Sequence, residues 1–167
     1  MIRRVGSHSG KRIYFGYDRY VLPELSVYIA ALEAHGKVVL SVDDTYLHYL
    51  TSAELVCTAV QRDSDSVGVL ICGTGMGMSI AANKFKDVYA ARCISVEDAE
   101  SCRMINNANV LCLGAKFGLE LNTAILDMFA RTPYRGRKIE ELEYITNFEN
   151  PSSLPVVSPL RAARRTG

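Results

Sequence analysis

Apolar runs of strand length alternate with helix-length amphipathic runs along most of the chain. The first strand reads Arg12-Ile13-Tyr14-Phe15-Gly16-Tyr17. A helix follows from about residue 22, with Pro23 suited to its first turn and Gly36 as its stop. Residues 38–40 read as a second strand, and Thr51 or Ser52 is placed to cap a helix running to about Arg62. Val67-Gly68-Val69-Leu70-Ile71-Cys72 is almost continuously apolar, as expected of a central strand covered on both faces. Residues 88–91 and 109–113 read as strands four and five, with a helix over about 96–106 between them. Further helices are predicted over about 119–131 and 139–148. This alternation is the signature of βα units around a parallel sheet. Five such strands fit one doubly wound α/β domain over residues 1–150, with ligands at the carboxyl ends of the strands.

Composition agrees with a single globular domain. The 167 residues are 49% hydrophobic and 22% charged with a net charge of +1, a balance unlike that of disordered or nucleic-acid-coating chains. Residues 151–167 contain Pro151, Pro155 and Pro159 and three arginines with no acid, so they read as an extended tail, suited to docking on a partner subunit. Without them the body carries a net charge of −2. No apolar run approaches the roughly 20 residues that span a bilayer, and the first residues do not lead into an apolar signal core. A cytoplasmic protein without membrane or nucleic-acid partners is the expectation. Five cysteines, an odd number with no Cys-x-x-Cys pair, argue against a disulfide framework and a structural zinc site.

Four of those cysteines lie in apolar or helical surroundings; Cys72 is followed by glycines. Cys72-Gly73-Thr74-Gly75-Met76-Gly77-Met78-Ser79 leaves the strongest strand and opens onto a helical stretch at about residues 80–84. Glycines let the backbone turn tightly, so that consecutive N–H groups converge on an anion and favour a thiolate at the joint. The loop lacks both the Gly-Lys-Ser/Thr ending of a Walker loop and the Gly-x-Gly-x-x-Gly spacing of a dinucleotide fold. The competing reading is a glycine turn that only tightens a strand–helix joint.

Residues 71–84 resemble, almost residue for residue, the signature of the ribose-5-phosphate isomerase B and galactose-6-phosphate isomerase family. Phe15-Gly16-Tyr17-Asp18, Tyr46-Leu47-His48-Tyr49, Asn106-Asn107-Ala108-Asn109-Val110-Leu111 and Thr132-Pro133-Tyr134 extend the resemblance over residues 12–149. It implies a three-layer αβα, flavodoxin- or Rossmann-like domain with a five-stranded parallel sheet in the order 2-1-3-4-5. It further implies homodimers or homotetramers with active sites shared between subunits, a sugar-phosphate substrate, and no cofactor or metal. In such aldose–ketose isomerases, which are intramolecular oxidoreductases, the cysteine matching Cys72 moves a proton between C1 and C2. The loop matching Gly73, Gly75, Met76 and Gly77 stabilises the enediolate, with the Thr74 hydroxyl as a polar contact or proton shuttle. Asp18 and Asn106 match sugar contacts, and Tyr46 matches a loop closing over substrate.

The chain departs from that pattern at defined points. Ile105 stands where the family has the histidine that opens the furanose ring, and an aliphatic side chain can neither give nor take a proton. His48, near Tyr46, is the only histidine retained as a substitute; His35 reads as a surface or capping residue. Arg19 replaces a histidine beside Asp18 and offers phosphate a rigid fork of donors. Arg135 and Arg137 fall in the family's phosphate-binding segment, Glu141 stands at a second arginine position, and Lys116 replaces an arginine after strand five. Three functions follow from this: an isomerase acting on an open-chain substrate such as a four-carbon sugar phosphate, the Cys-bearing subunit of a hetero-oligomeric isomerase with a paralogue, or a non-catalytic sugar-phosphate binder.

Overall fold

The structure, a computed structural model, describes residues 3–41 and 47–149. The expected tail and the closing-loop residue Tyr46 lie outside the described residues. Five parallel strands form one sheet: β1 Arg12–Tyr17, β2 Lys37–Leu40, β3 Ser66–Cys72, β4 Ala90–Arg92 and β5 Val110–Gly114. The connecting helices are α1 Leu25–Glu33, α2 Tyr49–Arg62, α3 Met76–Ala82, α4 Val96–Met104 and α5 Leu119–Arg131, followed by α6 Ile139–Thr146.

The strand order is 2-1-3-5-4, which corrects the expected 2-1-3-4-5 in its last two places. Burial explains the exchange. Every residue of β3 and β5 is buried, whereas β4 is a short, half-buried strand ending in Arg92. The fully apolar β5 therefore takes the interior position beside β3, and the strand bearing a cation takes the edge. Asn83, just past α3, closes that edge: its side-chain amide bonds both the N–H and the carbonyl of Ala90 at 2.9 Å.

The direction of each crossover sets the layers. Stepping one way along the sheet puts α2 and α3 on one face; stepping back puts α1 and α4 on the other, where α5, which follows the last strand, packs with them. Each face has its own core. Val56, Val60, Leu70, Met78 and Val110 pack on the first, and Phe15, Tyr28, Leu32, Leu111, Ile125 and Phe129 on the second.

Local details differ from the sequence pattern for physical reasons. Residues 22–24 belong to a 3-10 turn, Arg19–Glu24, capped by the Asp18 carboxylate, so α1 starts only at Leu25. The cap of α2 is His48, whose Nδ1 accepts from the Leu50 amide at 3.3 Å, rather than Thr51 or Ser52. Ser52 instead donates its hydroxyl to the Tyr17 carbonyl at 2.6 Å and ties α2 to the carboxyl end of β1. Gly36 is not a left-handed stop: a Cβ there would lie 2.1 Å from the Lys11 carbonyl oxygen, so glycine is required by close backbone approach. No helix among the described residues is long and apolar enough to cross a membrane.

At the amino end of the sheet a buried cationic cluster ties the first residues to the body. Arg103, 1% exposed, donates to the Ala108 and Gly6 carbonyls and to the Asn107 side chain. His8 Nε2 donates to the same Ala108 oxygen at 3.0 Å, while its Nδ1 is buried without a partner among the described residues. Burial first, then the charge of Arg103, hold the His8 pKa well below its ordinary 6.5, so the ring is neutral in the fold. The unfolded chain therefore binds one more proton below about pH 6.5, and stability should fall with acidification by up to about 1.4 kcal/mol per pH unit. His8→Gln, which keeps a donor for Ala108, is expected to remove that increment from the pH dependence of urea unfolding. Gly36→Ala should lower stability by about 1–3 kcal/mol in the same measurement, because the Lys11 backbone must move.

Candidate active site

In a parallel sheet every strand presents its carboxyl end to the same edge; here the chain leaves β1 toward β2 on one side and leaves β3 toward β4 on the other, so the connections diverge between β1 and β3. Asp18 follows β1 and Cys72 ends β3, so the crevice opened by that divergence lies between them. The Asp18 amide bonds the Ile71 carbonyl at 3.1 Å, which fixes their separation. Asp18, Tyr20, Tyr49, Cys72, Gly73, Thr74 and Gly77 line a cavity of about 220 Å³. An adjoining hollow of about 470 Å³ shares Tyr20, Gly73 and Thr74 and continues to Ala115 and Lys116.

The loop leaving β3 is built around its sulfur. Gly75 adopts φ +73°, and a Cβ there would come within 3.0 Å of the Leu113 backbone, so the turn demands glycine twice over. That turn aims the Gly75 amide at Cys72 Sγ, 3.2 Å away. Thr74 Oγ1 accepts from the Met76 amide at 3.3 Å, leaving its O–H to donate into the cavity. The Gly73 and Tyr20 amides bond the Asp18 carboxylate. Burial nevertheless outweighs these donors, together with the charges of Arg19 and His48, and raises the Asp18 pKa above its ordinary value. The loop amides without an acceptor among the described residues are those of Thr74 and Gly77. Two carbonyls point the other way: Gly73 O accepts from the Lys116 amide at 3.2 Å and Thr74 O from Arg92 Nε at 2.9 Å.

The structure brings Cys72, Thr74, Asp18, Gly73, Gly75, Met76 and Gly77 to one edge, with Arg19 and Lys116 beside them. Arg19 lies over the exposed Tyr20 ring at 5.3 Å, and Lys116 over Phe117 at 4.9 Å. It places Asn106, Arg135 and Arg137 elsewhere. Asn106 precedes β5 and so sits at the amino edge, beside Ile105, Lys138, Glu141, Leu142, Tyr144, Ile145 and Phe148, which line a hollow of about 240 Å³. Arg135 and Arg137 follow α5, which runs back antiparallel to the strands, and the bridge between Gly6 and Tyr134 holds their segment at that same edge. They line a groove of about 520 Å³ with Glu100, Met104, Met128 and Arg131. The four residue steps from Gly68↔Val110 to Cys72↔Gly114 already separate the two edges by roughly 13 Å. Within one chain, then, the expected substrate residues form two separate groups.

Of the histidines, His8 is buried in the amino-end cluster and His35 Nε2 pairs with Asp127 at 3.2 Å. His48 alone is close enough to Asp18 to act on its charge. Its Nδ1 accepts from the Leu50 amide, which leaves Nε2 as the ring nitrogen available to donate. Glu141, at a position where the resemblance implies a cation, pairs with Lys138 Nζ at 3.1 Å. Sequence reasoning missed Tyr49, whose ring packs against Gly77, and Arg92. Tyr49 sat inside a quoted motif and was legible; Arg92, alone at the end of a short strand, gave no local signal.

Comparison with known proteins agrees with this geometry. Residues 13–145 match the family described as Ribose/Galactose Isomerase. Ribose-5-phosphate isomerase B of Escherichia coli is 35% identical over 147 residues, covering 83% of this chain and 97% of that protein. D-erythrulose-4-phosphate isomerase of Pectobacterium atrosepticum is 34% identical over 106 residues, 60% of this chain and 70% of that one. The crystal structure of ribose-5-phosphate isomerase B from Mycoplasma genitalium with bound ribulose-5-phosphate superposes with a TM-score of 0.77 at 33% identity, covering 85% of this chain and 98% of that one. A thiol and a glycine loop at the carboxyl edge of a 2-1-3-5-4 sheet thus occur in a chain that belongs to the ribose/galactose isomerase family.

Proposed function

We propose that this chain interconverts an aldose phosphate and a ketose phosphate through an enediolate, with Cys72 as the base. The observation that carries the reading is the Gly75 amide on Cys72 Sγ at 3.2 Å, inside a crevice that also holds Asp18 and Thr74. An amide donating to sulfur stabilises the thiolate that must abstract a proton beside a carbonyl. The sulfur takes the proton from C1 of the ketose or C2 of the aldose. Negative charge then develops on the neighbouring oxygen, within reach of the Thr74 and Gly77 amides, and the same proton returns to the adjacent carbon. The Thr74 hydroxyl carries the accompanying proton between the two oxygens, and Asp18 holds a sugar hydroxyl.

The substrate class we infer is a four-carbon sugar 4-phosphate. Its terminal oxygen is esterified, so it cannot close to a furanose, and no ring-opening acid is needed. Ile105 supports this, since it lies among Leu142, Ile145 and Phe148 where the family's histidine would stand. The relative that acts on D-erythrulose 4-phosphate supports it as well. A shorter substrate also needs its phosphate bound nearer to Cys72, where Arg19 and Lys116 flank the crevice.

Separation of Cys72 from Asn106, Arg135 and Arg137 by the height of the sheet supports a site assembled from two chains. In such a dimer, the amino edge of one subunit closes the carboxyl edge of the other.

Purified alone, the chain should isomerise erythrulose 4-phosphate with a higher kcat/KM than ribulose 5-phosphate. Cys72→Ser should lower kcat at least about 100-fold with an unchanged thermal midpoint; unchanged turnover would overturn the catalytic role. Activity that appears only with a co-purified paralogue would instead identify a hetero-oligomeric enzyme. Mixing inactive Cys72→Ala and Asn106→Ala subunits should restore up to about a quarter of native activity, because half the dimers then carry one intact shared site. Persistent inactivity of the mixture would show that each site belongs to one chain.

A further inference from the structure

The Thr74–Gly75 peptide is gripped at both ends. Its N–H donates to Cys72 Sγ at 3.2 Å, and its carbonyl accepts from Arg92 Nε at 2.9 Å. Arg92 reaches that oxygen from the end of edge strand β4, which Asn83 fixes beside α3 through Ala90. Its guanidinium also lies over the Phe117 ring, 5.4 Å from the centroid, and Phe117 packs against Gly114 next to the loop.

Two consequences follow from the chemistry of one peptide unit. A cation on the carbonyl oxygen polarises the amide and makes its N–H a stronger donor to the sulfur. The same contact opposes rotation of the peptide. Gly75 is glycine because the turn needs φ +73°, and glycine populates both signs of φ, so the residue that permits the turn would also permit a flip. A flipped peptide would present its carbonyl oxygen to the thiolate and repel it.

We infer that Arg92 is a positioning residue for the proposed isomerisation: by holding the Thr74 carbonyl it keeps the Gly75 amide on the Cys72 sulfur. The inference rests on the reading of Cys72 as the base. It assigns a role to a side chain that touches neither the sulfur nor the sugar and that the sequence pattern did not single out.

The test compares Arg92→Met and Arg92→Lys with the unaltered protein. Iodoacetamide alkylation is followed at the Cys72 peptide by mass spectrometry from about pH 6 to about pH 9. In Arg92→Met, alkylation near neutral pH should slow about three- to tenfold, with the rate profile displaced to higher pH, as expected for a weakened rather than lost hydrogen bond to an anion. The kcat should fall by a similar factor with KM within about twofold, because the carbonyl is gripped before and after substrate binds. Arg92→Lys, which keeps a cationic donor, should recover most of both. If Arg92→Met unfolds, Phe117→Leu removes the ring beneath the guanidinium and is read in the same way. Alkylation profiles that superimpose for Arg92→Met and the unaltered protein would overturn the inference and leave the base assignment standing. Turnover that survives Cys72→Ala would overturn the base assignment instead.

Discussion

Parallel pairing is the constraint on which the rest of this structure depends. Because all five strands run the same way, every residue that ends a strand lies on one edge and every residue that begins one lies on the other. Cys72 and Asp18 become neighbours although 54 positions separate them in the sequence. Asn106 and Arg137 are driven apart from them by the same rule. In the proposed reaction, a site that uses both groups is completed by a second chain.

The glycine loop shows how much of a supposed anion cradle is already occupied by the protein's own acceptors. Asp18 takes the Gly73 amide, Cys72 takes that of Gly75, and Thr74 takes that of Met76. What the motif builds first is a thiol with a dedicated donor and a carboxylate with two. In the proposed reaction, capacity for a developing oxyanion falls to the Thr74 and Gly77 amides. Gly73 and Thr74 carbonyls are drawn aside by Lys116 and Arg92, so acceptors do not compete inside the crevice. The chain's substitutions form a consistent set in the proposed reaction. Ile105 stands in place of an acid that an open-chain substrate does not require, and Lys138 pairs with Glu141 in the same hollow. The cations left near Cys72 suit a shorter sugar phosphate.

Periodicity by itself determined the elements, because alternating 2.0 and 3.6 residue patterns are local properties of a chain that must bury one face of each segment. The thiol followed by three spaced glycines is likewise a local motif, and the resemblance it carries implies the candidate base. Only the tertiary structure decided the exchange of β4 and β5, which follows from total burial rather than from sequence adjacency. Only it decided that His48 caps α2 while Ser52 reaches back to Tyr17, since both depend on how α2 approaches β1. The partition of Asn106, Arg135 and Arg137 from Cys72, and the grip of Arg92 on the Thr74 carbonyl, belong to the same class. Each is a relation between edges and faces of the sheet, and a linear pattern records which face a residue takes without recording what stands opposite it.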